Sequence, residues 1–185
     1  MSLSISVITP SLPTRSKMLG EACESVAKQS LQPTEHLIGV DYGRRGSAYM
    51  RNHLVASSRH GDWIAFLDDD DILWPHHLAR LAKEAEAGAD IVYSQSEGYS
   101  VAKPFDAAAL RVGNFIPATV LMRCSLFRHL NGFMPSTAVE HGWEDWDLWK
   151  RALSAGAKFA FIPEPTWIYR LHEGSKTHRG ELAAA

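Results

Sequence analysis

The sequence predicts an α/β domain in which a mostly parallel central sheet is flanked by helices. Short apolar segments alternate with segments of helical periodicity through the first half of the chain. Strands and helices in this alternation form right-handed βαβ units, which build parallel sheets. The 185 residues and the 45% hydrophobic content suit one domain with a real core. Because ligands of such sheets bind beyond the carboxyl ends of the strands, polar residues there are the candidates for a site.

The first half of the chain carries four predicted strands and three predicted helices. Pro10 and Pro13 end the first strand because proline has no amide hydrogen to donate to a sheet. Pro75 suits the first turn of the third helix, and Gly88 suits its end. The two histidines after Pro75 are expected to be exposed. The strands are residues 4–9, 36–41, 62–67 and 90–94, and the helices are residues 15–29, 47–58 and 75–88.

The second half is less regular. Residues 94–114 are predicted to form a loop with a short helix or strand, because glycine and proline interrupt them. Trp146, Trp149 and Leu153 fall on one side of the helix that begins at Glu144, which indicates a buried face. The remaining elements are strands over residues 118–123, 159–162 and 166–170 and helices over residues 125–130 and 144–155.

Composition excludes several classes of function. The net charge is -2, from 19 basic and 21 acidic residues, so no nucleic-acid partner is expected. No apolar run approaches the roughly 18 residues of a membrane span, so no transmembrane segment is expected. The N-terminus also lacks the pattern of a signal peptide. Cys23 and Cys124 lie far apart without metal-ligand spacing, which indicates reduced thiols in a cytoplasmic protein.

The most informative feature is the run of four aspartates from Asp68 to Asp71, directly after the apolar residues 63–67. Neighbouring carboxylates repel each other, and one of a pair tends to stay protonated. A cation among them removes that cost, and carboxylate oxygens suit hard ions such as Mg2+ or Mn2+. The run therefore predicts a metal site that holds a diphosphate at the end of a strand. A solvated acidic turn that caps the next helix is the simpler interpretation of the run by itself.

A second candidate site lies at the start of the helix from Glu144. Acidic residues in a first turn often only complement the helix dipole, which explains Glu144 and Asp147. The nearby Trp143, Trp146 and Trp149 are less well explained in this way. Indoles around a carboxylate would exclude water and raise its basicity, as a general base requires. Aromatic faces also stack well on sugar rings.

A third candidate is the segment Tyr169-Arg170-Leu171-His172, which directly follows a predicted strand. A neutral imidazole suits an oxygen-rich Mn2+ site, and Arg170 or Lys176 would offset phosphate charge. A structural histidine is the simpler alternative. Three polar segments at strand ends or helix starts together favour a functional site.

In this order, the motifs resemble the family-two glycosyltransferases, which have the GT-A fold. Residues 67–71 are similar to that family's Leu-Asp-x-Asp-Asp motif, and residues 144–149 are similar to its catalytic Glu-Asp segment. The other segments that carry the resemblance are residues 5–10, Gly46 with residues 50–52, residues 131–133 and residues 169–172. The resemblance covers roughly residues 4–175, nearly the whole chain.

The resemblance implies roles for the matching residues. It assigns Asp145 as the general base, with Glu144 in support. The implied donor-binding residues are Thr9, Pro10, Asp41, Arg51, Asp68 and Asp69. The implied metal ligands are Asp68, Asp70 and His172. Tyr42 stands where the family has a second aspartate, and residues 11–13 depart from its usual Thr-Tyr-Asn, so the identity of the nucleotide stays open.

These assignments predict a metal-dependent, inverting glycosyltransferase of the hexosyl-transferring type, with Mn2+ or Mg2+ as cofactor. The donor would be a nucleotide diphosphate sugar, and the acceptor a hydroxyl of a saccharide, a lipid-linked glycan or a small molecule. The family's usual setting implies a cytoplasmic protein, peripheral at the inner membrane surface in some members. A small acceptor and a homo-oligomer that completes the acceptor site both fit the short chain.

The predicted domain covers residues 1–185. Its nucleotide-sugar-binding half is about residues 1–95, its acceptor and catalytic half is about residues 96–176, and residues 177–185 form a tail. Three other functions stay open at this point. A nucleotidyltransferase would release pyrophosphate, a binding module would hold the donor without turnover, and a glycoside hydrolase would use two carboxylates and be insensitive to EDTA.

Overall fold

The computed structural model of the protein describes residues 3–59, 61–98, 100–139 and 143–172. Its strands are β1 (Ile5–Ser11), β2 (Glu35–Val40), β3 (Trp63–Phe66), β4 (Ile72–Leu73), β5 (Ile91–Gly98), β6 (Val120–Arg123) and β7 (Phe159–Tyr169). Its α-helices are α1 (Ser16–Ala27), α2 (Ser47–Ser57), α3 (His77–Glu86), α4 (Ala107–Val112), α5 (Cys124–His129) and α6 (Glu144–Ser154). The predicted tail and Lys176 lie outside the described residues.

The described strands form one seven-stranded sheet in the order β2-β1-β3-β6-β5-β7-β4. β1 is parallel to β2 and β3, and β5 is parallel to β7. β6 is antiparallel to β3 and β5, and β4 is antiparallel to β7. The predicted α/β class is confirmed: five of the seven described strands run in one direction, and β6 and β4 run against them, so the sheet is mixed rather than purely parallel. Since β6 runs back from the edge where β5 ends, the residues that connect them stay at the carboxyl ends of β1 and β3.

Helices cover both faces of the sheet and bury a core on each side. α1 and α3 pack on one face, where Val26 and Leu81 are buried with strand residues. α2, α4, α5 and α6 pack on the other face, around Phe66, Tyr93 and Trp149. With both faces covered, polar groups of the central strands reach solvent only at the strand ends, where the candidate residues lie.

The C-terminal strand differs from its prediction. The two strands expected at residues 159–162 and 166–170 form a single strand, β7, that pairs with β5 along its length. Pro163 and Pro165 lie between the two predicted pieces, at the point where the register with β5 shifts. Because proline cannot donate to the ladder, the strand bulges there and then resumes its pairing.

His77 is buried, so the expectation that both histidines after Pro75 are exposed is wrong for this residue. His77 is the first residue of α3, and its Nδ1 is hydrogen bonded to Thr166 Oγ1 at 2.7 Å. Burial lowers the pKa of His77 to about 3, and His76 contributes in the same direction. His76 is exposed as expected. The sequence pattern does not show how the first turn is rotated against β7, and this rotation decides which histidine is buried.

Candidate active site

The four aspartates form a tight turn between β3 and β4, at the carboxyl end of β3. The amide of Asp71 donates to the carbonyl of Asp68 at 3.1 Å, which closes the turn. Before it, the amide of Leu67 donates to the carbonyl of Ile8 at 3.1 Å, so the turn is tied to the end of β1. The next helix, α3, begins only after β4, and His76 is its N-cap residue. The acidic run is therefore not the cap of that helix.

Three of these carboxylates converge. Asp68, Asp70 and Asp71 can each offer an oxygen within 4.8 Å of the oxygens of the others. Asp71 is buried, and burial raises its pKa well above the usual range, with Asp68 and Asp70 acting in the same direction. A divalent cation would relieve both effects, and three carboxylate oxygens are the kind of donor set that Mg2+ or Mn2+ takes. These residues therefore fit the predicted metal.

Asp69 points in another direction and is buried. Its Oδ2 accepts hydrogen bonds from Ser11 Oγ at 2.7 Å and from the amide of Leu12 at 3.2 Å. Its Oδ1 accepts from Arg15 Nη1 at 2.8 Å. Both oxygens are thus used to anchor the acidic turn to the end of β1. A contact between Asp69 and a nucleotide, which stays a prediction, would require some of these bonds to open.

His172 lies beside Asp70, and its role as a metal ligand stays a prediction. The distance from His172 Nε2 to Asp70 Oδ2 is 2.9 Å, and Arg15 Nη1 lies 2.7 Å from the same oxygen. Arg170 is turned away from this position. It forms an ion pair with Glu21 and donates to the carbonyl of Asp70. Arg170 thus ties the acidic turn to α1, and a contact between Arg170 and a phosphate stays a prediction.

Arg51 joins the acidic turn to the helix that carries the predicted base. Its side chain is buried on α2 and pairs with Asp68 on one side. On the other side Nη1 lies 3.7 Å from Glu144 Oε1, and this oxygen also accepts from Ser47 Oγ at 2.6 Å. A buried guanidinium between two carboxylates is compensated on both sides. Residues 68 and 144, distant in sequence, are thereby held at one site.

The turn that contains Asn131, Gly132 and Phe133 supports Arg51 from below. Asn52 donates to the carbonyl of Phe133 at 2.8 Å and accepts from its amide at 2.9 Å. The Phe133 ring then lies under Arg51, with 5.3 Å from the guanidinium carbon to the ring centroid. Gly132 has φ of +67°, and a β-carbon there would collide with Asn52 Oδ1. These contacts explain why an arginine-asparagine pair and a glycine-phenylalanine turn occur in the same sequence.

Asp145 is half-buried at the N-terminus of α6. Its Oδ1 accepts from the amide of Trp146 at 2.8 Å, and its Oδ2 accepts from Asn114 Nδ2 at 3.1 Å. Burial raises the pKa of Asp145, the nearby Glu144 raises it further, and the Trp146 amide and Arg51 act against the increase. The direction is the one expected for a general base.

The tryptophans around Asp145 have two different environments. Trp146 and Trp149 are buried, and their indoles donate to the carbonyls of Leu110 at 2.6 Å and Ile116 at 3.1 Å. Trp143 is 49% exposed, and its ring centroid is 5.6 Å from that of Trp146. The three indoles therefore do not form one group around the carboxylate. Trp146 and Trp149 anchor α6, and Trp143 exposes its ring to solvent.

The three residues predicted for the base pocket lie together at the ends of β1 and β2. Pro10 lies within β1 and pairs with Gly39 in the sheet register, so the expectation that the first strand ends at Pro10 is wrong. Thr9 is buried, with Oγ1 hydrogen bonded to His36 Nε2 at 2.9 Å. Asp41 is also buried, and its two oxygens accept from the amides of Arg45 at 3.0 Å and Gly46 at 2.8 Å. These bonds, led by the one from Arg45, lower the pKa of Asp41. Both side chains hold the fold in this conformation, and nucleotide contacts at these positions stay predictions.

Several site residues have no assigned role in the sequence prediction. Asp71 belongs to the acidic run but was not expected among the ligands. Arg15 and Ser47 pair with residues of the site from loops or helix starts, and Asn114 bonds Asp145 from an irregular connection. Only Asp71 had a signal in the sequence, because it continues the run of carboxylates. The other contacts depend on which segments the sheet brings together.

The family of the chain follows from a match over residues 40–141, more than half of its length, to glycosyl transferase family 2. This segment contains both Arg51 and the acidic turn. The chain belongs to glycosyl transferase family 2. The predicted family is thereby confirmed, and the match does not by itself identify the donor, the acceptor or the metal.

Two curated relatives are consistent with this family. The uncharacterized glycosyltransferase YwdF of Bacillus subtilis is 27% identical, over 100% of this chain and 80% of that protein. The succinoglycan biosynthesis protein ExoO of Rhizobium meliloti is 31% identical, over 77% of this chain and 47% of that protein. The chain thus spans about half of ExoO and most of YwdF.

Solved structures of Staphylococcus aureus TarS share the fold. Residues 1–349 of TarS, crystallised with UDP-GlcNAc, match 95% of this chain with a TM-score of 0.75 and 18% identity. The chain covers 61% of that TarS fragment. At this level of identity the likeness concerns the fold. None of the helices in the described part of the chain combines the length and apolar composition that a membrane crossing requires.

Proposed function

We propose that the chain is a metal-dependent, inverting glycosyltransferase that transfers a sugar from a nucleotide diphosphate sugar to a hydroxyl acceptor. The observation that carries the proposal is the position of Arg51 between Asp68 and Glu144. Arg51 holds the acidic turn, whose carboxylates suit a cation, close to the start of α6, where Asp145 is suited to proton transfer. A transferase of this kind needs both functions at one site.

The metal would be held by Asp68, Asp70 and Asp71, with His172 beside Asp70 as a further candidate ligand. When bound, a divalent ion neutralises charge on the departing diphosphate. Arg15 already lies against Asp70, so it is placed to exchange partners when an ion binds. The protein supplies the remaining requirement, a rigid turn anchored through Asp69.

Asp145 is proposed as the base that takes the proton from the acceptor hydroxyl. Its raised pKa increases its proton affinity, and Glu144 is positioned by Ser47 and Arg51 rather than by substrate. A single displacement on the face opposite the leaving group inverts the anomeric carbon and requires no enzyme nucleophile. The two carboxylates at the start of α6 thus have separate roles, one in chemistry and one in structure.

Two observations support the proposed substrate classes. TarS, which shares the fold, was crystallised with UDP-GlcNAc and with UDP, which supports a nucleotide-linked donor. The exposed face of Trp143, next to the helix start that carries Asp145, supports a saccharide acceptor because aromatic faces stack on sugar rings. Membership of glycosyl transferase family 2 favours this reaction over nucleotidyl transfer.

The test is a thermal-shift screen of nucleotide sugars, starting with UDP-GlcNAc, in Mn2+ and in EDTA. A true donor at about 100 times its Kd should stabilise the protein by about 2.7 kcal/mol, and only with metal. Asp70→Asn should lose this metal-dependent stabilisation. If no nucleotide sugar stabilises the protein in Mn2+, or if EDTA has no effect, the proposed function is wrong.

The matched variant for chemistry is Asp145→Asn, which keeps the shape of the side chain but not its basicity. It should retain the donor-induced shift in Tm and lose sugar transfer by about 100-fold or more, since general base catalysis is worth 10²–10⁴. Transfer would be followed as release of nucleoside diphosphate with the donor found in the screen. Transfer at the wild-type rate would remove Asp145 as the base.

A further inference from the structure

Asn114, in the connection between β5 and β6, donates a hydrogen bond to the carboxylate of Asp145. The bond runs from Asn114 Nδ2 to Asp145 Oδ2 at 3.1 Å. The other carboxylate oxygen accepts from the amide of Trp146 at 2.8 Å. A donor on each oxygen restricts rotation of the carboxylate about the Cβ–Cγ bond.

The amide of Asn114 has a defined orientation. Asn114 Oδ1 accepts from the backbone amide of Ile116 at 3.1 Å. A backbone N–H only donates, so the atom that faces Ile116 must be the oxygen, and the NH2 group must face Asp145. The flipped amide would place two donors together and an oxygen against a carboxylate. Only this orientation satisfies both contacts.

The segment that carries Asn114 is anchored to the same helix as Asp145. The Trp146 indole donates to the carbonyl of Leu110, and the Trp149 indole donates to the carbonyl of Ile116. Both indoles are buried, and both belong to α6. The connection is thus held on either side of Asn114, and the distance between Asn114 and Asp145 is set by the packing of α6. This gives the two buried tryptophans a role in the geometry of the site.

We propose that Asn114 is a positioning residue for the reaction, which orients the carboxylate of Asp145 and favours its ionised form. This inference rests on the proposed role of Asp145 as the base. Burial raises the pKa of Asp145 and so favours the protonated form, which cannot accept a proton, and a donor on its oxygen opposes this effect. The other charges that act on Asp145 are Glu144, which favours protonation, and Arg51, which opposes it.

The experiment measures the pKa of Asp145 directly and needs no substrate. Carboxyl 13C signals of aspartate-labelled protein are titrated in the wild type and in Asn114→Leu, and the Asp145 signal is identified by its absence in Asp145→Asn. Asn114→Leu removes the donor at similar volume, so the pKa of Asp145 should rise by about one unit, a tenfold change in ionisation. An unchanged pKa in a folded Asn114→Leu protein would overturn the inference.

A second variant and a control separate this effect from loosening of the connection. Asn114→Ala removes the donor without adding a charge, so the pKa of Asp145 should again rise. If Asn114→Leu does not fold, this variant decides, and an unshifted pKa of Asp145 in it overturns the inference. The control is Asp106→Ala, which removes the cap of α4 in the same connection without touching Asp145. It should leave the pKa of Asp145 unchanged, and an equal rise there would assign the effect to structure.

The inference and the proposed function fail in different ways. If Asp145→Asn transfers sugar normally, the base assignment is wrong, whatever the titration shows. If Asp145→Asn abolishes transfer but the Asn114 variants leave the pKa of Asp145 in place, only the positioning role is wrong. Both are supported if transfer needs Asp145 and its pKa depends on Asn114.

Discussion

Asp71 is the residue at which the structure most changes the interpretation of the acidic run. It is the most buried carboxylate of the three that converge, and its Oδ1 accepts from the amide of Arg170 at 3.2 Å. Burial and the charges of Asp68 and Asp70 raise its pKa. A carboxyl whose pKa is raised on folding contributes stability at low pH that is lost as the pH rises through the folded value. Without a cation, Asp71 therefore costs stability at neutral pH.

The substitution Asp71→Asn tests this view at the scale of one residue. Asparagine keeps an oxygen for the Arg170 amide and removes the charge, so the metal-free protein should be more stable than the wild type at pH 7. The gain that the wild type shows on addition of Mn2+ should shrink in the variant, since one ligand is weakened. Both effects are read from Tm in EDTA and in Mn2+.

Glu86→Gln is the matched control, because it removes one negative charge at an exposed position of α3. It should change neither value measurably. A loss of stability in EDTA for Asp71→Asn, together with an undiminished response to Mn2+, would contradict both the electrostatic account and the assignment of Asp71 to the metal site.

At the scale of elements, α2 depends on its tie to the turn at residues 131–133. Asn52 forms two hydrogen bonds with the backbone of Phe133, and Phe133 lies under Arg51. Arg51 pairs with Asp68 and Glu144, whereas its neighbour Asn52 secures the helix to the turn. Displacing the turn would remove the contact between the Phe133 ring and the Arg51 guanidinium, which pairs with Asp68 and Glu144.

Asn52→Ala should therefore lower the free energy of unfolding by about 1–3 kcal/mol, because it leaves the Phe133 amide and carbonyl without these partners. The loss would be measured by urea unfolding. His53→Ala is the control, since it truncates the next residue of the same helix at an exposed position. Equal stability of the two variants would mean that the tie does not stabilise the fold.

At the scale of the whole molecule, stability should depend on pH through the buried His77 and the partly buried His36. His77 links α3 to Thr166 on β7, and Thr166 Oγ1 is also hydrogen bonded to Ser94 Oγ on β5 at 2.6 Å. Burial lowers the pKa of His77 to about 3 and that of His36 to about 4. An unfolded chain binds these protons near pH 6.5. Between these values the unfolded state binds more protons, so stability falls as the pH falls.

The expected slope for His77 alone is up to about 1.4 kcal/mol per pH unit below pH 6.5. His77→Asn keeps a polar partner for Thr166 and cannot gain a proton, so between pH 6.5 and 5 it should lose about 2 kcal/mol less than the wild type. Unfolding free energies at the two pH values give this difference. His76→Asn, at the exposed neighbouring position, should keep the wild-type slope, and an identical slope in His77→Asn would refute the account.

The amino-acid sequence by itself determined the alternation of strands and helices, the positions of most elements in the first half, and the places where polar residues leave the apolar segments. Apolar periodicity, prolines and glycines act over a few residues, so a local pattern is enough to predict them. The acidic run and the start of α6 were recognisable for the same reason, as each is a short segment of unusual composition.

Only the tertiary structure decided which of these polar groups act together. Ser47 and Arg51 meet Glu144, and Asn114 meets Asp145, because the order of strands brings α2, the β5–β6 connection and α6 to one edge. The reversed direction of β6 and the burial of His77 were decided at the same level. Contacts between distant segments depend on how whole elements pack. The packing energy is shared among many residues, so no short stretch of sequence encodes it.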